Sequence, residues 1–246
     1  MLAQQKRWYA EHLPLADAVI ADVGANVGEL SELFWREAGA RGRVISIEPL
    51  RSNVRALAER IAALGAERWH VEACACSDRD GALVLAPQHV GYAWNSAIDH
   101  GGAQGPTVSV PCRRLVELAP DATVVKLDIE GHEYAVLDDA LDSASPMNDV
   151  RAWALELHER RARPLQQVLG QLARHGYRLY AAGRRRTDPH GDWIAVDIDP
   201  ALDWSAIPAA KSDDDPTGSA KKMLHVIATR HSGGAPPSKK ASAAAS

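Results

Sequence analysis

The sequence has little cysteine, a single phenylalanine and no long hydrophobic run. Three cysteines are too few for the disulfide framework of a small secreted scaffold, and their scarcity points to the cytoplasm. No apolar stretch approaches the ~20 residues that cross a bilayer, so no membrane partner is expected. The opening residues, MLAQQKRWYAEHLPL, lack the apolar core and small-residue cleavage site of a secretory signal. A formal net charge of −4 gives no broad attraction for nucleic acid, and the seven scattered tryptophans form no repeated base-stacking pattern. Nucleic acid is therefore not an expected partner. No internal repeat is present.

What is there suits one sizeable folded domain with additions: 246 residues, 46% hydrophobic and 24% charged. Five apolar runs read as strands: ADAVIADVG, RVISIEP (43–49), WHVEACACS (69–77), TVVKLDIEG (123–131) and VRAWALELHE (150–159). They alternate with helical patterns through residue 176, which implies a parallel sheet covered on both faces. Ser52 is expected to cap a helix that runs to Leu64 and stops at Gly65, and Pro164 to open one that closes at Gly176. ALVLAP (82–87) and TVSVPC (107–112) form an antiparallel excursion, with a glycine- and aromatic-rich loop at 88–106 between them. Tyr92, Trp94 and Asn95 make that loop a candidate substrate cover, with Trp94 weighed evenly as a packing anchor. The late runs YRLYAAG, DWIAVDI and MLHVIATR add strands that end the sheet in an antiparallel pairing. The expected fold is α/β: a doubly wound, mostly parallel, seven-stranded Rossmann-like sheet with an antiparallel C-terminal strand. A helical segment occupies 1–16, the domain 17–230 and a disordered tail 231–246. The segment 211–222 and the run Arg184-Arg185-Arg186 read as solvated loops.

Ligands of an open parallel sheet bind beyond the carboxyl ends of its strands. The first strand ends at Asp22 and passes through DVGANVGEL into an amphipathic helix, where unpaired amides and tight-turning glycines make a ligand cradle. The second strand ends at Glu48, twenty residues after Gly28, a position suited to ribose hydroxyls. On the fourth strand Lys126, Asp128 and Glu130 are expected to share a face, as are Glu156 and His158 on the fifth. Charged side chains at the ends of covered strands are costly unless paired or open to a cleft, so they mark a polar site. The competing explanation is a structural ion pair of Lys126 with Asp128 or Glu156. Cys74-Ala75-Cys76 reads as a pair of buried small hydrophobes rather than a metal or redox pair. Asp128, Glu156 and His158 offer oxygen and nitrogen ligands to a divalent cation, but no local ligand spacing favours one.

DVGANVGEL, VISIEP, VVKLDIEGHEYAVL and ALELHE, in this order, resemble the FkbM-family methyltransferases over about residues 17–182. Where the family commonly shows a Leu-Asp pair, this chain has PCRRLVEL, with Arg113 and Arg114. The resemblance implies S-adenosylmethionine as methyl donor and a hydroxyl of a sugar, polyketide or other secondary metabolite as acceptor. It implies that Asp22, Gly24, Ala25, Asn26 and Gly28 hold the methionine end, Gly24 by letting backbone approach the ligand. It implies that Glu48 takes the ribose and that the end of the third strand, at Ala73 and Cys74 or at Ser77 and Asp78, borders the adenine. Asp128 and His158 are the expected base or orienting group. Glu130 and Glu156 form a polar wall, Lys126 balances their charge, and His132 stands near the acceptor or at a solvated helix start. A nicotinamide-dependent oxidoreductase and a non-catalytic ligand-binding protein are the alternatives. Self-association stays open.

Overall fold

The computed structural model describes residues 2–87, 95–97, 107–141, 146–158, 165–183, 193–198 and 223–230. The chain opens with α1 (Leu2–His12), then β1 (Val19–Val23), α2 (Glu29–Ala38), β2 (Arg43–Ile47), α3 (Arg51–Leu64) and β3 (Trp69–Glu72). A small second sheet is built from β4 (Ala75–Ser77), β5 (Gly81–Pro87), β6 (Asn95–Ala97) and β7 (Val108–Arg114), after which comes the short α4 (Leu115–Leu118). The main sheet resumes with β8 (Val124–Leu127), α5 (Glu133–Leu141), β9 (Ala152–His158), α6 (Leu165–Arg174), β10 (Arg178–Gly183), β11 (Ile194–Ile198) and β12 (Met223–Thr229). Its order is β11-β10-β12-β9-β8-β1-β2-β3. The run from β9 to β3 is parallel, and β12 is antiparallel to both β9 and β10.

Eight strands stand in this sheet where seven are expected. The expected late run DWIAVDI is β11, antiparallel to β10 at the edge. The run 69–77 is not one strand. It breaks after Glu72, and Ala75–Ser77 pairs with β7 in the second sheet. The antiparallel pairing of β5 with β7 is as expected. Helix α3 begins one residue before Ser52, has Leu50 at its cap without a side-chain hydrogen bond, and stops at Gly65 with φ 60°. Loop 88–106 apart from β6, Pro164, Arg184–Arg186, 211–222 and 231–246 lie outside the described residues. Among the described residues no helix is long and apolar enough to cross a membrane.

Each sheet face has its own core. One face sets Val23, Ile47, Val125, Leu127, Trp153 and Leu155 against Leu137, Leu141, Val168 and Leu172 of α5 and α6. The other sets Ile20, Val44, Val124, Ala152, Ala154 and Ile227 under Trp8, Tyr9, Phe34 and Leu57 of α1, α2 and α3. Toward the carboxyl ends of the parallel strands this second face turns polar, with Asp22, Ser46, Lys126, Glu156 and His225 all buried. That polar end of the face is where the site is built.

Candidate active site

β1 lies between β2 and β8, where the strand order reverses, and its turn into α2 carries three left-handed residues: Gly24 (φ 77°), Asn26 (φ 51°) and Gly28 (φ 86°). The amides of Gly24 and Ala25 donate to Ile47 O at 3.0 and 3.2 Å, which ties the turn to the end of β2. Gly28 caps α2 and supplies no side-chain acceptor to its first turn, where Glu29 and Glu32 complement the helix dipole. The space that a Gly24 side chain would fill is held by the Asp128 carbonyl oxygen, and at Gly28 a Cβ would meet Leu57 Cδ2 at 2.6 Å. The glycines therefore first allow the turn to press against its own chain. The close approach expected at Gly24 is to Asp128.

Glu48 is buried, and its carboxylate accepts three hydrogen bonds: from Asn26 N (2.9 Å, to Oε2), Leu50 N (3.0 Å) and Asn53 Nδ2 (3.3 Å), the last two to Oε1. An ionised carboxylate has about four acceptor sites, so roughly one remains on Oε2. Burial raises the Glu48 pKa, and those donors together with Lys126 offset part of the rise.

Asp22 and Lys126 are direct neighbours across β1 and β8. Lys126 Nζ lies 3.3 Å from Asp22 Oδ1 and 3.5 Å from Asp128 Oδ2, and it donates to Gly24 O at 2.9 Å and Val23 O at 3.3 Å. Burial by itself would push the ammonium down, but Asp22 and Asp128, joined by Tyr9 and Glu156, hold it well above the ordinary lysine range. The other Asp22 oxygen accepts from Ser31 Oγ at 2.5 Å. A chain of donors continues through Ser46 Oγ (2.7 Å to Ser31) and Trp69 Nε1 (2.7 Å to Ser46). Asp22 and Lys126 thus form a locked pair beneath the turn. Asp128 differs from them: its side chain is 24% exposed, against 3% for Lys126 and none for Asp22.

β8 ends at Leu127, so the strict alternation expected through Glu130 stops there. Residues 128–132 form a turn, with Glu130 at φ 57° and Gly131 at φ 98°. Glu130 is partly exposed in this turn and does not extend the Lys126–Asp128 row along a strand. The turn is held by Glu133, which is fully buried and whose Oε1 accepts from Ile129 N (3.0 Å) and Gly131 N (2.8 Å). His132 is buried as well. Its Nε2 lies 3.0 Å from Ser77 Oγ, which donates to Asp78 Oδ1 at 2.9 Å. This places His132 against β4 instead of at a solvated helix start.

Glu156 lies near the end of β9 opposite His225 of β12, with His225 Nδ1 and Glu156 Oε2 3.5 Å apart. The His225 ring is 4.7 Å from Trp193, and Trp193 meets Trp8 of α1 edge-on at 5.9 Å. Tyr9, the next residue of α1, is fully buried, accepts from Gln5 Nε2 at 3.3 Å, and lies within the fields of Glu156, Lys126 and Asp128. His158 closes β9 opposite Met223, and its side chain is outside the described residues. Among the described residues no group of three His, Cys, Asp or Glu side chains is placed to hold a metal.

Glu133, His225 and Tyr9 escaped the sequence reading. An acid opening a helix just after a glycine turn is a usable signal for Glu133. His225 interrupts an apolar strand, a weak sign, and nothing local marks Tyr9. Arg114, which stands in the departure from the family pattern, binds Asp139 of α5 through Nε and Nη2 at 2.7–3.1 Å. Cys74, Cys76 and Cys112 are buried and unpaired. Burial pushes the Cys74 thiol up to about 11 and raises the other two, so all three stay protonated and unreactive at neutral pH.

The strand order, the reversal at β1 and the glycine turn beside a strand-end acid define a doubly wound, Rossmann-like α/β fold with its ligand crevice at the switch point. The model of the methyltransferase FkbM domain matches residues 22–179. The chain belongs to the methyltransferase FkbM domain family. None of the curated proteins matches the chain. Among solved structures, an FkbM methyltransferase from Methylobacillus flagellatus KT is 20% identical at a TM-score of 0.49, covering 73% of this chain and 43% of that one. This chain therefore spans less than half the length of that relative. An S-adenosylmethionine-dependent O-methyltransferase from Thermotoga maritima is 12% identical (TM-score 0.47; 94% of this chain, 66% of that). Aeropyrum pernix fibrillarin with natively bound S-adenosyl-L-methionine is 13% identical (TM-score 0.45; 79% and 74%).

Proposed function

We propose that the chain transfers a methyl group from S-adenosylmethionine to a hydroxyl of a small molecule such as a sugar, polyketide or other secondary metabolite. The observation that carries this reading is the contrast at the end of β8: Lys126 is sealed and neutralised by Asp22, while Asp128 keeps a partly exposed carboxylate beside the Gly24 turn. The residues fit the donor. The remaining acceptor site of Glu48 suits a ribose hydroxyl, the first turn of α2 lacks a side-chain cap, and the surplus of carboxylates over Lys126 suits a cation. When bound, S-adenosylmethionine supplies a methyl group on positively charged sulfur.

In this reading Asn26, Ala25 and Gly28 shape the cradle and Asp22 orders it through Ser31 and Lys126. Ser77, held by His132, lines the adenine side. Asp128 orients the acceptor hydroxyl and draws on its proton, since an alcohol must lose one during transfer. Glu156 and Glu130 extend the acidic wall, and His158 is a second candidate base. A divalent cation is not needed by this arrangement. The buried, unpaired thiols suit a reducing, cytoplasmic setting, and the net charge of −4 speaks against nucleic acid as acceptor. Transfer of labelled methyl from S-adenosylmethionine to a panel of hydroxyl compounds, with amines and RNA as comparators, tests the reading. Label in a hydroxyl compound, lost in Asp128→Asn, is expected; label only in amines or RNA overturns it.

A further inference from the structure

The Glu156–His225 pair combines two residues from distant parts of the chain at the acidic end of the sheet, and His225 lies beyond the segment 22–179 that defines the family. Their side chains share the face that carries Asp22 and Lys126, and both are buried: Glu156 is 8% exposed and His225 4%. Trp193 against the imidazole, and Trp8 against Trp193, restrict the ring's rotation. Tyr9 from α1 and Lys126 from β8 lie in the field of Glu156, and Lys126 in turn is paired with Asp22 of β1 and with Asp128 at the end of β8. Counted as ionised, Asp22, Asp128 and Glu156 against Lys126 leave two negative charges in excess. A protonated His225 removes one of them. A cation entering this field competes with that proton, because like charges at short range in a buried region disfavour each other.

We infer that the Glu156–His225 pair is the proton-holding unit of the site, giving up its proton when a cationic ligand occupies the donor cradle and regaining one when that ligand becomes neutral. The inference rests on the methyl-donor reading above. The balance of transfer matches it. The acceptor oxygen gains a bond to the methyl carbon and loses its bond to hydrogen, while the sulfur–methyl bond breaks with its electron pair kept on sulfur. One positive charge disappears from the cradle as one proton leaves the hydroxyl, and the pair takes that proton before solvent does. His225 acts through Glu156 and the local field, as a positioning and charge-balancing residue.

The test needs no acceptor. Calorimetric titrations of the full chain with S-adenosylmethionine and with S-adenosylhomocysteine, each in two buffers of different ionisation enthalpy near pH ~6.5, the ordinary histidine range, count the protons exchanged on binding. The two ligands carry the same ammonium and carboxylate and differ in sulfonium charge. Wild-type protein is expected to release a larger fraction of a proton to S-adenosylmethionine than to S-adenosylhomocysteine, and His225→Gln and Glu156→Gln to abolish the difference. Equal proton counts in the wild type, or a difference that survives in both variants, overturns the inference. An imidazole NMR titration of the ligand-free protein guards against a misfolded His225 variant: the His225 resonance should titrate at lower pH in Glu156→Gln than in the wild type, and an unmoved titration also overturns it. Binding of both ligands with equal proton counts sinks this inference alone, whereas absence of binding by folded protein sinks the methyl-donor reading and the inference with it.

Discussion

The Gly24 backbone passes so close to the carbonyl oxygen of Asp128 that a side-chain atom on Gly24 would overlap it. One contact thus joins the turn after β1 to the end of β8, the two segments that flank the reversal in strand order. A Gly24→Ala variant must shift one of them and also place alanine at φ 77°. The expected loss exceeds ~1 kcal/mol, the level at which alanine at positive φ already destabilises, and the variant should bind S-adenosylhomocysteine more weakly than the wild type. Thermal unfolding with calorimetry checks both; unchanged affinity would mean that the turn is not part of the cradle.

Glu133 should act through the Asp128–His132 turn. Glu133→Ala leaves the buried Gly131 amide and the half-buried Ile129 amide without their acceptor, at a cost of ~1–3 kcal/mol for the buried one and less for the other. Glu133→Gln keeps a carbonyl oxygen for them and should cost less. Urea denaturation of the two variants gives the comparison, and equal losses would contradict the capping role.

Lys126→Met leaves Asp22 and Asp128 without their shared cation, and breaking a buried pair in this way costs ~3–5 kcal/mol. The pH dependence has a defined sign. Lys126 is held above the ordinary lysine range, and burial, ahead of the Glu156 charge, raises the Tyr9 phenol. For both, the folded state keeps a proton that the unfolded chain releases, so their contribution is intact below pH ~10 and lost as pH rises beyond it. Alkaline denaturation should therefore begin above pH ~10, and the part of it due to Lys126 should vanish in the methionine variant. Equilibrium unfolding between neutral and alkaline pH measures this.

Glu48→Gln should weaken S-adenosylhomocysteine by the ~1.5–3 kcal/mol of a hydrogen bond to a charged group. Because burial raises the Glu48 pKa, wild-type affinity should fall as pH drops toward and through that raised value, from above the usual ~4.3 of a glutamate. The glutamine variant should lack this component. Titration calorimetry at several acidic pH values, on protein shown to be folded by circular dichroism, decides it.

The parallel half of the sheet was legible because strands covered on both faces read as apolar runs between glycine turns, and Asp22 and Glu48 marked the ends of two of them. The limits of that reading are equally physical. The break inside 69–77 is invisible because apolar residues continue across it, from Val71 to Cys74, Ala75 and Cys76, with no glycine or proline to mark a stop. Alternation carried past Leu127 wrongly put Glu130 in a row with Lys126, since a non-glycine residue at φ 57° is a departure that pattern does not announce. The partner of Lys126 turned out to be Asp22 as well as Asp128, a pairing set by strand register. Tyr9 and His225 reach the site from opposite ends of the chain, and only the assembled sheet brings them to Glu156.

The central claim, that the turn after β1 and the acid after β2 hold a methyl donor, is tested most directly by calorimetric titration with S-adenosylhomocysteine, with NAD as comparison. Saturable binding of S-adenosylhomocysteine, absent with NAD and weakened in Glu48→Gln, is the predicted result. Folded protein that fails to bind S-adenosylhomocysteine, or that binds NAD in its place, would contradict it.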